Sequence, residues 1–271
     1  MAKQTVPQQE AIESQSARQE VPEQAGKKVS VFLQAKGGVG KSFLGYLRVL
    51  ASDTHSTAAV LLDSSQKANQ NAGRHTKTLG AENVHVLNID SANHEYKRNH
   101  FFDIFEQVSM IDRPFVILDI GAPESHVFRT ALEYDNEMTA ENLKYMADDL
   151  GLELTFNVVV SGADDNINEN LNYFVALDKA LKDFFRVNML INDVTFKEDN
   201  DSESLRSDII SESMASEQNV FVVGQSGQRH NDNAYLTIMS LANGDVTLDE
   251  ARKSIGARIR LRNMLEPLAL V

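Results

Sequence analysis

The chain has 271 residues, 42% of them hydrophobic, which suits one large α/β domain with a sizeable core better than two small ones. A formal net charge of −13 excludes a globally basic surface of the kind that holds nucleic acid by counterion release, so any such contact must be a local patch. The absence of cysteine excludes disulfides, thiolate metal sites, cysteine nucleophiles and a cluster-bridging role. No stretch approaches about eighteen consecutive apolar residues and the first ten residues lack an apolar run, so the expectation is a cytoplasmic protein.

Residues 1–28 are rich in glutamine and glutamate, contain two prolines and have almost no large apolar side chains, which predicts a flexible tail. From residue 29 the pattern changes. Val29 to Gln34 is an apolar, partly β-branched run expected to form a buried strand, and Ser42 to Leu50 reads as an apolar-faced helix. Between them lies Lys36-Gly37-Gly38-Val39-Gly40-Lys41-Ser42.

A glycine-rich turn from strand to helix lets backbone N–H groups close around phosphate oxygens, and the helix N-terminus adds partial positive charge. Lys41 would neutralise the β and γ phosphates, and Ser42 would ligate Mg²⁺. The general pattern G-x-x-x-x-G-K-S has glycine where this chain has Ala35.

Further strands are expected at 57–63, 83–89, 114–120, 152–160, 186–192 and 219–223, with helical patterns in most of the gaps. The alternation predicts an α/β fold: a doubly wound, mostly parallel sheet of about seven strands with helices on both faces, spanning 29–245. Ligands of such sheets bind at the carboxyl ends of the strands, where Asp63, Asp119 and Asn192 fall. Phe115 to Asp119 is an apolar strand ending in a carboxylate, the place from which a phosphate-loop protein holds Mg²⁺; the simpler view makes Asp119 a cap for the turn at Gly121 and Pro123.

The acidic segment 197–205 is expected to form a solvated loop and a helix N-terminus, with docking of a basic partner as the other possibility. The seven histidines (His55, His75, His85, His94, His100, His126 and His230) show no metal-ligand spacing. Residues 246–271 form a basic C-terminal helix and tail that begins at a helix-capping Thr247 or Asp249 and carries Arg252, Lys253, Arg258, Arg260 and Arg262. At 100° per residue Ile255, Ile259, Leu261, Leu265 and Leu268 share one broad half, but Arg258 and Arg262 fall inside it. A helix packed on the domain is the first expectation, non-specific DNA contact the second and a membrane-binding face the third.

Lys36 to Ser42 resembles the deviant Walker A motif of the ParA/MinD family, in which a signature lysine precedes the two glycines. The resemblance implies an ATP-binding, ATP-hydrolysing switch that closes as an ATP-dependent homodimer with Mg²⁺, Lys36 reaching in trans to the partner's phosphates. It further implies a protein partner in plasmid DNA partition or positioning. The reading Phe-Leu-Gln-Ala-Lys-Gly-Gly-Val-Gly-Lys-Ser is closest in texture to plasmid TraL and StbB proteins of conjugative transfer and plasmid stability.

In that family the second strand is followed by Asp-x-Asp-Pro-Gln, whereas this chain reads Asp63-Ser64-Ser65-Gln66. Asp63 matches the first aspartate, while Ser65 stands where the carboxylate near the attacking water belongs, so hydrolysis is expected to be slow or partner-dependent. Phe43 replaces a small hydroxyl residue that contacts the α-phosphate. Asn192 resembles the asparagine that reads adenine, although Asn192-Asp193 also reads as a turn signal. Two other classes fit the loop: an ATP-dependent ligase or kinase of the dethiobiotin-synthetase type, and a non-hydrolysing nucleotide-binding module.

Overall fold

The structure, a computed structural model, describes residues 26–64, 67–87, 100–162, 167–196, 202–224 and 232–271. Ser65 and Gln66, residues 1–25 and 197–201, His94 and His230 lie outside the described residues.

The expected alternation is present. In chain order the elements are β1 (Lys27–Leu33), α1 (Lys41–Leu50), β2 (Thr57–Leu62), α2 (Lys67–Leu79), β3 (Val84–Leu87), α3 (His100–Met110), β4 (Phe115–Ile120), α4 (Ala122–Tyr134) and α5 (Ala140–Asp149). The second half runs through β5 (Leu152–Ser161), α6 (Ile167–Leu181), β6 (Arg186–Asn192), α7 (Ser202–Ser213), β7 (Val220–Val223), α8 (Asn233–Asn243), α9 (Leu248–Arg252) and α10 (Ile255–Leu268).

The seven strands form one sheet in the order β3-β2-β4-β1-β5-β6-β7, and every pairing is parallel. Parallel sheets need both faces covered, which explains why β2 is an apolar run buried along its full length. The pleat divides the core in two. Val29, Val31 and Leu33 of β1 point to the layer holding Phe105 of α3, Phe128 of α4, Leu143 of α5, Phe174 of α6 and Ile209 of α7. Phe32, one residue out of phase, points to the opposite layer with Leu47 of α1, Leu241 of α8 and Leu261 of α10.

β1 is the centre of this arrangement, flanked by β4 and β5. The chain leaves β1 into the α1 layer and leaves β4 into the α4 layer, so a crevice opens at the carboxyl end of β1. This is where residues 34–42 lie.

Two boundaries differ from expectation. β1 starts at Lys27, inside the segment assigned to the tail, because Lys27 is held from both ends: its N–H donates to the Gly151 carbonyl and its Nζ to the Val108 carbonyl (3.1 Å) and those of Ser109 and Ile111. A lysine at the end of α3 thereby satisfies carbonyls that the helix itself cannot pair.

The basic C-terminal segment is two helices, α9 opened by a capping box between Thr247 and Glu250, and α10 capped by Ser254. The buried stripe of α10 is Ala257, Leu261, Met264 and Leu268, spaced at four, three and four residues, whereas Ile255 and Ile259 are exposed. The face that packs is centred on Ala257 and Leu261, which leaves the two isoleucines at its margin and exposed. Arg260 donates to both oxygens of Asp232 and Arg262 pairs with Glu266, while α10 packs on α8, β7 and α1. The expectation of a C-terminal helix packed on the domain thus describes the contacts.

Candidate functional site

The loop that follows β1 is rooted from below. Gln34 is buried; its Nε2 donates to the Val159 carbonyl of β5 (2.9 Å), and its Oε1 accepts from the Lys36 N–H (3.3 Å). The Gln34 N–H donates to the Ser125 hydroxyl of α4 (3.2 Å), which in turn donates to the Ile120 carbonyl (3.1 Å). The loop therefore starts from a fixed point shared by β1, β4, β5 and α4.

Gly38 and Gly40 have φ of 82° and 89°, a region that side chains strain to enter. Gly37 and Gly38 are exposed, and a Cβ at either would meet open space, so their backbone is free to face a ligand. Gly40 is the N-cap of α1 and supplies no side-chain cap, and the first turn of α1 carries no acid. The N–H groups there are left for an anion. Val39 turns the other way, into the core beside α1.

Lys41 and Asp119, expected at the phosphate and at Mg²⁺, meet each other. Lys41 Nζ lies 2.6 Å from Asp119 Oδ1, with both side chains buried. Burial pushes the Asp119 carboxyl up, but the Lys41 charge and hydrogen bonds from Lys41 and Ser42 outweigh it and hold Asp119 below the usual carboxylate range. Asp119 accordingly serves the loop and does not cap the turn at Gly121. Among the described residues no group of three or more His, Cys, Asp or Glu side chains could hold a metal alone. Ser42 and Asp119 fit a cation that also takes phosphate and water oxygens, which is how Mg²⁺ is bound.

The other expected residues are placed as follows. Lys36 is one-third exposed and lies 3.7 Å from Glu169 of α6 in its own chain. Asp63 follows β2 directly and is partly buried. Phe43 is half-buried and packs against the α1 side of the core. Asn192 ends β6 and is 2% exposed beneath the loop, where its Nδ2 donates to the Val39 carbonyl (2.9 Å). A Cβ at position 40 would sit 2.3 Å from that nitrogen. The amide expected to read adenine is thus engaged with the loop backbone.

Three residues were not legible as site residues. Arg74 of α2 is buried, donates from Nη2 to the Ser42 carbonyl (2.5 Å) and from Nη1 to the Ala242 carbonyl of α8 (3.0 Å), and lies over the Tyr46 ring. It ties the start of α1 to two neighbouring helices. Ser125 roots the loop as described above. Glu124, in the first turn of α4, is fully buried and accepts from the N–H and hydroxyl of Ser64. Each lies in a helix whose local pattern gives no sign of a distant backbone partner.

No protein-family model matches the chain, and no curated protein matches its sequence. Among solved structures it is similar to a putative plasmid partition protein from Borrelia burgdorferi bound to AMPPNP, with a TM-score of 0.49 and 13% identity over 89% of this chain and 97% of that one. A second plasmid partition protein from Borrelia burgdorferi gives 0.46 and 14% identity over 80% and 96%, and the MinD cell division protein of Aquifex aeolicus gives 0.48 and 11% over 89% and 95%. Likeness at this level carries no argument about function. The P-loop NTPase α/β fold follows from the chain's own strand order and from the glycine loop at the end of its central strand.

Proposed function

We propose that the chain binds Mg²⁺-ATP at residues 36–42 and hydrolyses it as an ATP-dependent dimeric switch. The observation that carries this is the buried Lys41–Asp119 pair beneath an uncapped, glycine-rich helix N-terminus. A triphosphate would take backbone N–H groups of residues 37–41 and draw Lys41 from Asp119, leaving Asp119 and Ser42 to hold Mg²⁺. The metal supplies charge neutralisation on the β and γ phosphates.

Asn192 positions the loop through Val39. Phe43 stands at the α-phosphate and contributes packing there. Lys36, two-thirds covered and held on its own Glu169 only by a partly solvated pair, is free to be recruited by a partner's phosphates, since such pairs are weak. Asp63, which follows β2, would present its carboxylate to the γ-phosphate side of the crevice.

The dimeric switch in plasmid DNA partition, stability or conjugative transfer rests on the register of Lys36 with the two glycines. Arg252, Arg258 and Arg262 line an open groove between α10 and the end of α1, and they are the contact proposed for DNA backbone. No helix among the described residues is long and apolar enough to cross a membrane.

The test is ATP turnover, binding of a non-hydrolysable ATP analogue and oligomeric state for wild type, Lys36→Ala and Lys41→Ala, with and without DNA. Lys41→Ala is expected to weaken analogue binding by about 100-fold or more, the scale of losing a charged phosphate contact. Lys36→Ala is expected to keep binding and lose ATP-dependent dimerisation and turnover. Unchanged dimerisation and turnover in Lys36→Ala would sink the in-trans role.

A further inference from the structure

We infer that Glu124 supplies the carboxylate of the hydrolytic step, the one for which the sequence offers only Ser65. The inference rests on the proposed ATPase reading and deepens it.

Glu124 is 0% exposed, and among the described residues its Oε2 has no hydrogen-bond partner. A buried, half-satisfied carboxylate is costly, and such groups persist where they serve a site. The other oxygen, Oε1, is held firmly, accepting from the Ser64 N–H (3.1 Å) and the Ser64 hydroxyl (2.5 Å). One oxygen is therefore clamped and the other is offered.

The position is the right one. Ser64 follows β2 and Glu124 follows β4, strands that pair directly up to Leu62 and Ile120 and are joined beyond them by the Gly121 N–H on the Leu62 carbonyl. Asp119, which holds Lys41, lies near the end of β4, five residues before Glu124 in the first turn of α4. Ser125, the next residue, is the anchor of Gln34 at the root of the phosphate loop. Glu124 thus lies at the junction of β2, β4 and the root of the loop. Gly121 is shaped around it: a Cβ there would fall 2.1 Å from Glu124 Oε2 and 3.2 Å from the Asp63 Cα. Any side chain at 121 would displace this oxygen.

In the step assigned, a water oxygen forms a bond to the γ-phosphorus. The bond from that phosphorus to the β–γ bridging oxygen breaks with its electron pair staying on ADP. The water proton passes to Glu124 Oε2 and then to the departing inorganic phosphate. Ser64, fixed on Oε1, is the positioning residue, and it connects the step to the segment that leaves β2.

The experiment uses the full chain with Mg²⁺-ATP: steady-state kcat and KM, affinity for a non-hydrolysable ATP analogue, and thermal midpoint, for wild type, Glu124→Gln and Ser64→Ala. Glu124→Gln keeps the shape and is expected to lower kcat by about 100-fold or more, the scale of losing a general base. Analogue affinity should stay within about 3-fold, well under one decade of binding. The midpoint should not fall, because an amide removes a buried charge. Ser64→Ala should lower kcat less than Glu124→Gln and leave analogue affinity within the same roughly 3-fold, as expected of a residue that acts through Glu124. Unchanged kcat in Glu124→Gln overturns the inference, and so does a joint fall in kcat, affinity and midpoint, which marks a structural glutamate. A wild-type chain that binds the analogue without turning ATP over overturns it while leaving the binding reading intact. Failure to bind the analogue at all takes down both.

Discussion

Lys41 and Asp119 are a buried ion pair whose members are each costly alone. Taking either charge out of water is repaid chiefly by the partner 2.6 Å away, so breaking the pair leaves a largely uncompensated charge in the core. Lys41→Met by itself is expected to destabilise by about 3–5 kcal/mol, and Lys41→Met with Asp119→Leu to recover most of that loss. Urea unfolding of the two singles and the double closes the cycle; additive losses would show that the pair is not coupled.

His75 of α2 gives a second prediction from a single side chain. It is buried edge-on to Tyr46, and among the described residues neither ring nitrogen has a hydrogen-bond partner. Burial, helped by the neighbouring Arg74 charge and opposed by Asp119, pushes the imidazole from 6.5 down to about 3. The folded chain keeps it neutral while the unfolded chain binds a proton, so its contribution is complete above pH 6.5 and is lost as pH falls toward 3. Between pH 6.5 and 5 the loss is about 2 kcal/mol, at 1.36 kcal/mol per unit. His75→Phe retains an aromatic edge toward Tyr46 and is expected to flatten the dependence of unfolding free energy on pH in that window. An unchanged slope would place the titration elsewhere.

Among the secondary-structure units, α8 and α10 depend on one residue twice. Asp232 caps α8 by accepting from the Tyr235 N–H (2.8 Å), and it receives both guanidinium nitrogens of Arg260 from α10. The Arg260 hydrogen bonds, followed by the backbone bond from Tyr235, hold its carboxyl below the usual range. Arg260→Ala removes the bridge and leaves the cap, whereas Asp232→Ala removes both. The melting temperature should therefore fall further for Asp232→Ala. Its benefit is present above the unfolded carboxylate range and disappears as acid protonates the folded group, so the two variants should converge in stability at low pH. Equal melting temperatures at neutral pH would contradict the double role.

The sheet, the two helical layers and the loop at the central strand make nucleotide binding and folding one linked equilibrium. Residues 34–42 touch β4, β5, β6, α2 and α4 through Asp119, Val159, Asn192, Arg74 and Ser125. A ligand that seats on the loop therefore stabilises the folded chain as a unit. Mg²⁺-ATP at about 100 times its Kd is expected to add about 2.7 kcal/mol to unfolding, measured as a shift in urea midpoint at constant m. Chelation of the metal should reverse most of the shift, and a shift absent with and without metal would remove the nucleotide reading.

The seven strands were legible from the sequence to within two or three residues; for the central ones the reason is that a parallel strand buried on both faces needs an apolar run, which is a local property. The phosphate-type loop was equally local: glycines that must take positive φ, followed by lysine and serine opening a helix. Asp119 could be singled out because an aspartate near the end of an apolar strand is conspicuous, and its pairing with Lys41 came from the fold. What the fold alone decided is which buried polar groups meet. Asn192 and Val39 are 153 residues apart, Ser64 and Glu124 60, and Arg74 reaches Ser42 across 32 and Ala242 across 168. No periodicity encodes such pairs, since each is selected when the sheet brings distant strand ends to one edge and a buried donor or acceptor takes the partner within reach. The stripe of α10 was settled in the same way: several apolar faces were open to it by sequence, and contact with α8 and β7 chose the one centred on Ala257 and Leu261.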